Sequence, residues 1–261
     1  MAARAIWKGN LRLAKETVPV KLYSAAQDRT VHFRLLHDAD KVPVKQRLVD
    51  PETDEIVEFK DARRAYMTAE RALVLLDADE LAALEPEPSR DIELSRFLPA
   101  GTIDPRWYDR PYYLGPDGRG EDYLALVEAL GARNREGLAH WVMRKKEYRG
   151  ALRVVADGCL ALISLRSAEE TIPASELGAP EGGPLNDKEI AMAQQLLSIL
   201  ESEFDPKQFR DEYRHRLLEL IEAKAKGKTV RRQRARVVRP SEDLVEALRA
   251  SLEQQRERKR A

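Results

Sequence analysis

Apart from two helical interruptions, the first 166 residues never sustain one apolar pattern for long, and that brevity limits the possible folds most. AIW, VPVKLYS, TVHFRLL, VPVKQRLV, EIVEF, ALVLLD, DIELSRFLP, PYYLG, LAHWVMRK, GALRVVAD and CLALISLR follow one another, each alternating or apolar and each broken by turn residues. Segments of this kind pair with their neighbours as an antiparallel sheet, and closing the sheet into a barrel removes its exposed edges. The expected class is mostly β with α: an antiparallel β-barrel core carrying a projecting hairpin, then a C-terminal helical arm.

Two helices are expected within the strand-rich part. DADELAALEP opens on an aspartate suited to capping and keeps Leu81 and Leu84, and GEDYLALVEALGAR sets Tyr123, Leu126, Val127 and Leu130 at helical spacing. After the Pro/Gly-rich connection PASELGAPEGGPL the period changes to that of helices. Asn186 with Glu189 forms a capping box ahead of Ile190, Ala193, Leu197, Leu200 and Phe204. Asp205 and Pro206 are read as the cap of a second helix bearing Phe209, Tyr213, Leu217 and Leu220 and ended by Gly227. Two apolar stripes in tandem must be covered, either by the chain's own barrel or by a second copy. Beyond Gly227 the segment KTVRRQRARVVRPSED reads as a basic linker and the remainder as a short terminal helix.

Formal net charge is zero, but the charges are segregated. Residues 1–49 hold ten Lys/Arg against four Asp/Glu, residues 50–104 hold six against fifteen, and residues 224–239 hold eight basic side chains and no acid. One strongly positive surface beside acidic ones follows. No run approaches the roughly 18 apolar residues of a membrane helix, and MAARAIWKGN lacks the apolar region of a signal peptide, so a cytoplasmic protein is expected.

Reactive constellations do not emerge. His32, His37, His140 and His215 have no metal-ligand spacing, and Cys159, the single cysteine, sits in the apolar run CLALISL. Neither GxSxG, GxxxxGK[ST] nor GxGxxG occurs, and the glycines of GPDGRG and GAPEGGP are turn formers. No catalytic residue, cofactor or metal is assigned, and a non-enzymatic protein is expected.

The positive charge is the remaining signal. In VPVKQRLVDPETDEIVEFK, read as two strands around a turn, alternation puts Val42, Val44, Gln46 and Leu48 on one face and Lys45, Arg47 and Val49 on the other, with Val57, Phe59 and Lys60 on the partner strand. Lys41, Arg63 and Arg64 lie close by. A second cluster comprises Arg144, Lys145, Lys146 and Arg149, and a third Lys226, Lys228, Arg231, Arg232, Arg234 and Arg236. Lys and Arg with no acid, Asn or Gln readers at helical spacing favour phosphate contacts over base edges, hence duplex binding without sequence preference.

AIWKGN, VPVKLYSA, FLPAGTIDPRWYDRPYYLGP and FDPKQFRDEYRHRLLELIEAK, in this order from about Arg4 to Lys226, together resemble the bacterial Ku family of DNA-end-binding proteins. The resemblance implies two identical subunits, each a β-barrel core over residues 1–185 with a bridge hairpin at about 31–72, closing a ring around double-stranded DNA ends. It implies a dimerisation arm at 186–227, with Ile190, Leu197, Leu200, Phe204, Phe209, Tyr213 and Leu217 against the partner, followed by the basic linker and terminal helix at 228–261. It also implies recruitment of an ATP-dependent DNA ligase for non-homologous end joining, and a cytoplasmic, nucleoid-associated location. A module gripping duplex DNA or RNA anywhere along its length is the alternative reading.

The sequence departs from the family pattern in three places. A CxxC pair expected after the basic-x-basic stretch falls on Asp50 and Thr53, leaving no thiolates for zinc. Lys15, Glu16 and Thr17 replace a Gly-Leu-Val run, and where a long Lys-rich tail is common this sequence ends on RERKRA. Tail contacts are therefore expected from residues 224–239.

Overall fold

The structure is a computed structural model that describes residues 4–155, 158–178, 183 and 186–227. The chain divides into two compact units, Met1–Glu176 and Leu177–Ala261.

The first unit is built on a seven-stranded closed barrel. Its strands are β1 (Trp7–Leu13), β2 (Glu16–Ser24), β7 (Asp91–Pro99), β8 (Tyr108–Pro116), β9 (Arg135–Met143), β10 (Lys146–Val155) and β11 (Cys159–Leu165), in the spatial order β1-β2-β8-β11-β10-β9-β7. Six ladders are antiparallel, as alternation implied. The seventh, which closes the barrel, is parallel and joins Asn10–Leu13 of β1 to Asp91–Leu94 of β7, so the sheet is mixed rather than purely antiparallel. A parallel pair needs a long crossover. Here residues 14–90, β2 included, intervene.

Inward positions on alternate residues supply the core: Leu11, Val20, Leu22, Ile92, Leu114, Trp141, Leu152, Leu160 and Leu162 are essentially inaccessible. Packing is tight enough to dictate glycine at one rung. A Cβ on Gly150 would lie 2.5 Å from the Ile163 carbonyl oxygen and 2.7 Å from the Trp141 ring, and Trp141 stacks on Tyr148 with ring centroids 5.3 Å apart.

Helix α2 (Gly120–Ala132) packs Leu126 and Val127 against the barrel core and buries Tyr123 and Leu130, the four positions that its spacing predicted. The Tyr123 hydroxyl donates to the Leu114 carbonyl at 2.6 Å and accepts from the Leu160 amide at 3.0 Å. Those two residues face each other across the β8·β11 ladder, so one side chain from the helix is threaded into the sheet.

Helix α1 (Ala78–Ala83) begins, as expected, at Asp77, which forms a capping box with Glu80. Between β2 and β7 the remaining order consists of hairpins. Strands β3 (Leu48–Val49) and β4 (Ile56–Val57) pair, as do β5 (Arg64–Met67) and β6 (Leu73–Leu76). The strands expected across TVHFRLL and VPVKQRLV are largely absent. The pairing there is a Leu36–Pro43 bridge, with the Val44 amide donating to Leu35, and residues 44–47 lie outside any strand. Alternation alone made these segments look like strands. Extended structure also needs a partner and a covered face, and no residue from 25 to 90 is buried.

In the second unit, α3 (Asp187–Leu200) starts at the predicted Asn186/Glu189 box, Asn186 Oδ1 accepting from the amides of Lys188 and Glu189 at 3.1 and 3.0 Å. The next helix starts later than expected. Asp205 caps only the 3₁₀ turn Pro206–Gln208, whereas α4 (Glu212–Ala225) is capped by Asp211 through the Arg214 amide. Phe209 therefore lies between helices, its ring 4.9 Å from that of Phe204. Among the described residues no helix is long and apolar enough to cross a membrane.

Candidate nucleic-acid interface

The hairpins between β2 and β7 end in closed loops. The His37 amide donates to Val42 and the Lys41 amide back to His37, both at 2.9 Å; the Asp50 amide donates to Glu55 at 2.9 Å and the Asp54 amide back to Asp50 at 3.0 Å. The two loops are thus of one kind, each ending in a left-handed residue, Lys41 at φ 59° and Asp54 at φ 57°. In the second loop Asp50 Oδ1 accepts from the Glu52 amide at 2.8 Å and the Thr53 amide at 3.3 Å, and Thr53 Oγ1 accepts from the Glu55 amide. The two positions that lack cysteine thus close the turn through side-chain oxygens. Among the described residues no three His, Cys, Asp or Glu are grouped to hold a metal ion.

Ion pairing divides the predicted cations into two kinds. Lys41 is 2.6 Å from Asp38, Arg63 is 4.0 Å from Asp77, Lys145 is 2.9 Å from Glu85 and Lys226 pairs with Glu222. Lys146 lies 5.6 Å from the centre of the Tyr148 ring and near enough to Glu170 to help hold that carboxyl below its ordinary range, behind the hydrogen bonds from Ser167. Lys45, Arg47, Lys60, Arg64 and Arg149 have no side-chain ion pair or hydrogen bond among the described residues. A cation without a fixed internal partner leaves no group orphaned when it contacts an outside anion.

Several predicted residues share a surface. Lys45 and Arg47 line a groove of about 420 Å³ with Leu48, Ile56, Val57 and Phe59. Arg63 and Arg64 line another of about 450 Å³ beside α1. Lys146 and Arg149 border a depression of about 630 Å³ with Arg110 and Arg166, two arginines that sequence reasoning did not single out. Lys60 lines none of these grooves, and Lys226 belongs to the second unit. Lys228, Arg231, Arg232, Arg234, Arg236 and the terminal helix lie outside the described residues.

The segment FLPAGTIDPRWYDRPYYLGP is organised around a fully buried carboxylate. Glu136 on β9 accepts from the Gly101 amide at 3.2 Å and from the Tyr108 hydroxyl at 3.0 Å. Burial, and then the bond to Glu136, push the Tyr108 phenol above its ordinary pKa. Asp104 caps the following 3₁₀ turn through the Arg106 amide, and hydrogen bonds from the Arg106 side chain and backbone hold its carboxyl below the usual range. This motif positions chain; it offers no exposed reactive group.

A family model described as the Ku70/Ku80 beta-barrel domain matches residues 13–196. The chain belongs to the Ku family. It is 36% identical to Non-homologous end joining protein Ku 2 of Geotalea uraniireducens, over 97% of this chain and 98% of that protein. It is 34% identical to Non-homologous end joining protein Ku of Anaeromyxobacter sp. over 87% and 77% of the two chains. With the Mycobacterium tuberculosis protein of that name the identity is 32%, over 86% of this chain and 84% of the relative. The first unit accordingly has the Ku barrel fold, and it carries the predicted cations among the described residues other than Lys226.

Proposed function

We propose that this chain acts as a homodimeric ring that takes up double-stranded DNA ends without reading sequence, in non-homologous end joining, and brings an ATP-dependent DNA ligase to them. One observation carries the reading. Residues 25–90 bury none of their side chains, yet they present Phe33, Leu35, Val42, Val44, Leu48, Ile56, Phe59, Tyr66, Leu73 and Leu75 to solvent alongside Lys45, Arg47, Lys60 and Arg64, which have no ion pair among the described residues. So much exposed apolar surface marks an interaction face. Covered by the same segment of a second copy, it becomes a bridge that leaves the cations for phosphates.

The proposed organisation is a barrel core at 1–185 with the bridge at about 31–72, an arm at 186–227, and a basic linker with a terminal helix at 228–261. The arm supports dimerisation in the same way: Leu197 is 69%, Phe204 75%, Phe209 74% and Tyr213 68% exposed, with Ile190 and Leu200 also uncovered and Leu217 partly so. Burying each large side chain against a partner contributes about 1.5–3 kcal/mol before association costs are met. A ring that fits one duplex reaches DNA only at a free terminus, so topology supplies the end specificity that Lys and Arg cannot. No catalytic step is assigned to the chain, and ligation falls to the recruited enzyme. The proposed location, with the nucleoid in the cytoplasm, follows from the DNA partner.

The test compares retention of a linear fragment with retention of the same sequence as a closed circle. Loss on the circle is expected. Equal retention would favour a duplex-binding module without end preference, and sedimentation of a compact monomer at micromolar concentration would remove the dimer.

A further inference from the structure

Among the described residues eight non-glycine positions have positive φ, and five of them are Lys or Arg: Lys41, Arg71, Arg119, Arg144 and Lys145. Left-handed backbone is costly for an ordinary side chain, and such positions are normally filled by Gly, Asn or Asp. Lys41, Arg119 and Lys145 each pair with a nearby acid, Asp38, Asp122 and Glu85. Arg71 and Arg144 are exposed and have no side-chain ion pair or hydrogen bond among the described residues.

Their turns make the choice of residue conspicuous. In the β5–β6 hairpin the Thr68 amide donates to Ala72 and the Arg71 amide to Thr68, both at 2.9 Å. This is the three-residue loop whose last position is left-handed and ordinarily glycine; here it is Arg71, at φ 63°. The β9–β10 hairpin pairs Met143 with Lys146 across two residues, Arg144 at φ 53° and Lys145 at φ 64°. A two-residue loop with both φ positive strongly favours Asn-Gly or Gly-Gly. This one is Arg-Lys, with Lys145 held by Glu85.

We propose that Arg71 and Arg144 are phosphate-contacting residues of the DNA-binding surface, placed on turns whose backbone would be more stable with glycine or asparagine. The inference rests on the duplex-binding reading above. Solubility does not account for the choice, since a neighbouring position of ordinary φ would carry the same charge without strain. Backbone strain retained at an exposed position points to a function of the side chain itself.

The experiment compares wild type, Arg71→Gly, Arg144→Asn and the charge-keeping Arg71→Lys and Arg144→Lys, each by thermal melting and by linear-duplex binding across about 50–200 mM salt. The Gly and Asn variants are expected to melt a few degrees higher. Their log affinity against log salt should flatten by about 1.8 per position in a dimer, so that each deficit against wild type shrinks about tenfold over that range. The Lys variants should keep the wild-type slope. Three results would overturn the proposal: Gly and Asn variants with wild-type affinity and slope, Gly and Asn variants melting no higher than wild type, or Lys variants losing as much binding as the neutral ones. Failure of the wild type itself to hold linear duplex would instead remove the reading on which the proposal rests.

Discussion

Replacing Lys45 and Arg47 together by alanine tests the proposed bridge most directly. Both side chains are exposed and unpaired among the described residues, and they share one groove. Truncation strands no partner, so stability should stay within about 0.5 kcal/mol of wild type. Each cation on a phosphate contributes about 0.9 to the slope of log affinity against log salt, and the proposed homodimer carries four of them, so the slope should flatten by about 3.6. Over a fourfold rise in salt, from about 50 to about 200 mM, the deficit of the variant against wild type then shrinks on the order of 10²-fold. Gel-shift titrations at four salt concentrations on two unrelated duplex sequences measure this, and the loss should be equal for both. A variant that melts like wild type and keeps the wild-type slope would refute the assignment of this groove to DNA.

Three further outcomes are expected. Tyr123→Phe should cost about 2–3 kcal/mol in urea unfolding, because the Leu114 carbonyl and Leu160 amide both lose their partner. Burial also pushes the Tyr123 phenol from 10.0 up to about 12, so the folded state keeps a proton that the unfolded state has lost. Its contribution is full below about pH 10 and declines as pH rises toward about 12; the Phe variant should lack this part of the alkaline loss, and an identical decline in both proteins would count against it. Glu136→Ala should destabilise by on the order of 3 kcal/mol, since it orphans the Tyr108 hydroxyl and the Gly101 amide; a loss below about 1 kcal/mol would show that the site relaxes around the gap. Phe204→Ser with Phe209→Ser should shift sedimentation toward the monomer while leaving the barrel's melting transition in place.

Much of the local structure was legible because it is set by near neighbours. The aspartate cap and the Asn186/Glu189 box announced α1 and α3, and the spacing of Tyr123, Leu126, Val127 and Leu130 marked the face that α2 turns to the core. Competing local signals were harder. Asp205-Pro206 and Asp211 are both good caps, and the first controls only a 3₁₀ turn while the second starts α4. TVHFRLL alternates as a barrel strand does, but with no sheet to join it forms little more than one bridge.

The charges illustrate the same division. Composition located the basic clusters, yet whether a lysine is occupied depends on acids far along the chain, as Lys145 on Glu85 does. Arg71 looked unremarkable as a letter, and its left-handed backbone becomes visible only in the turn. Nor does any sequence motif single out Glu136, which only the fold places beneath Gly101 and Tyr108.

By itself the sequence determined the barrel-then-helices order, the charge segregation and the family, because alternation, caps and motif order are written along the chain. The tertiary structure alone decided the parallel β1·β7 closure, the uncovered state of residues 25–90 and which of the described cations have an ion pair. Each of those depends on what lies beside a residue in space, and short-range pattern carries no information about neighbours tens of residues away.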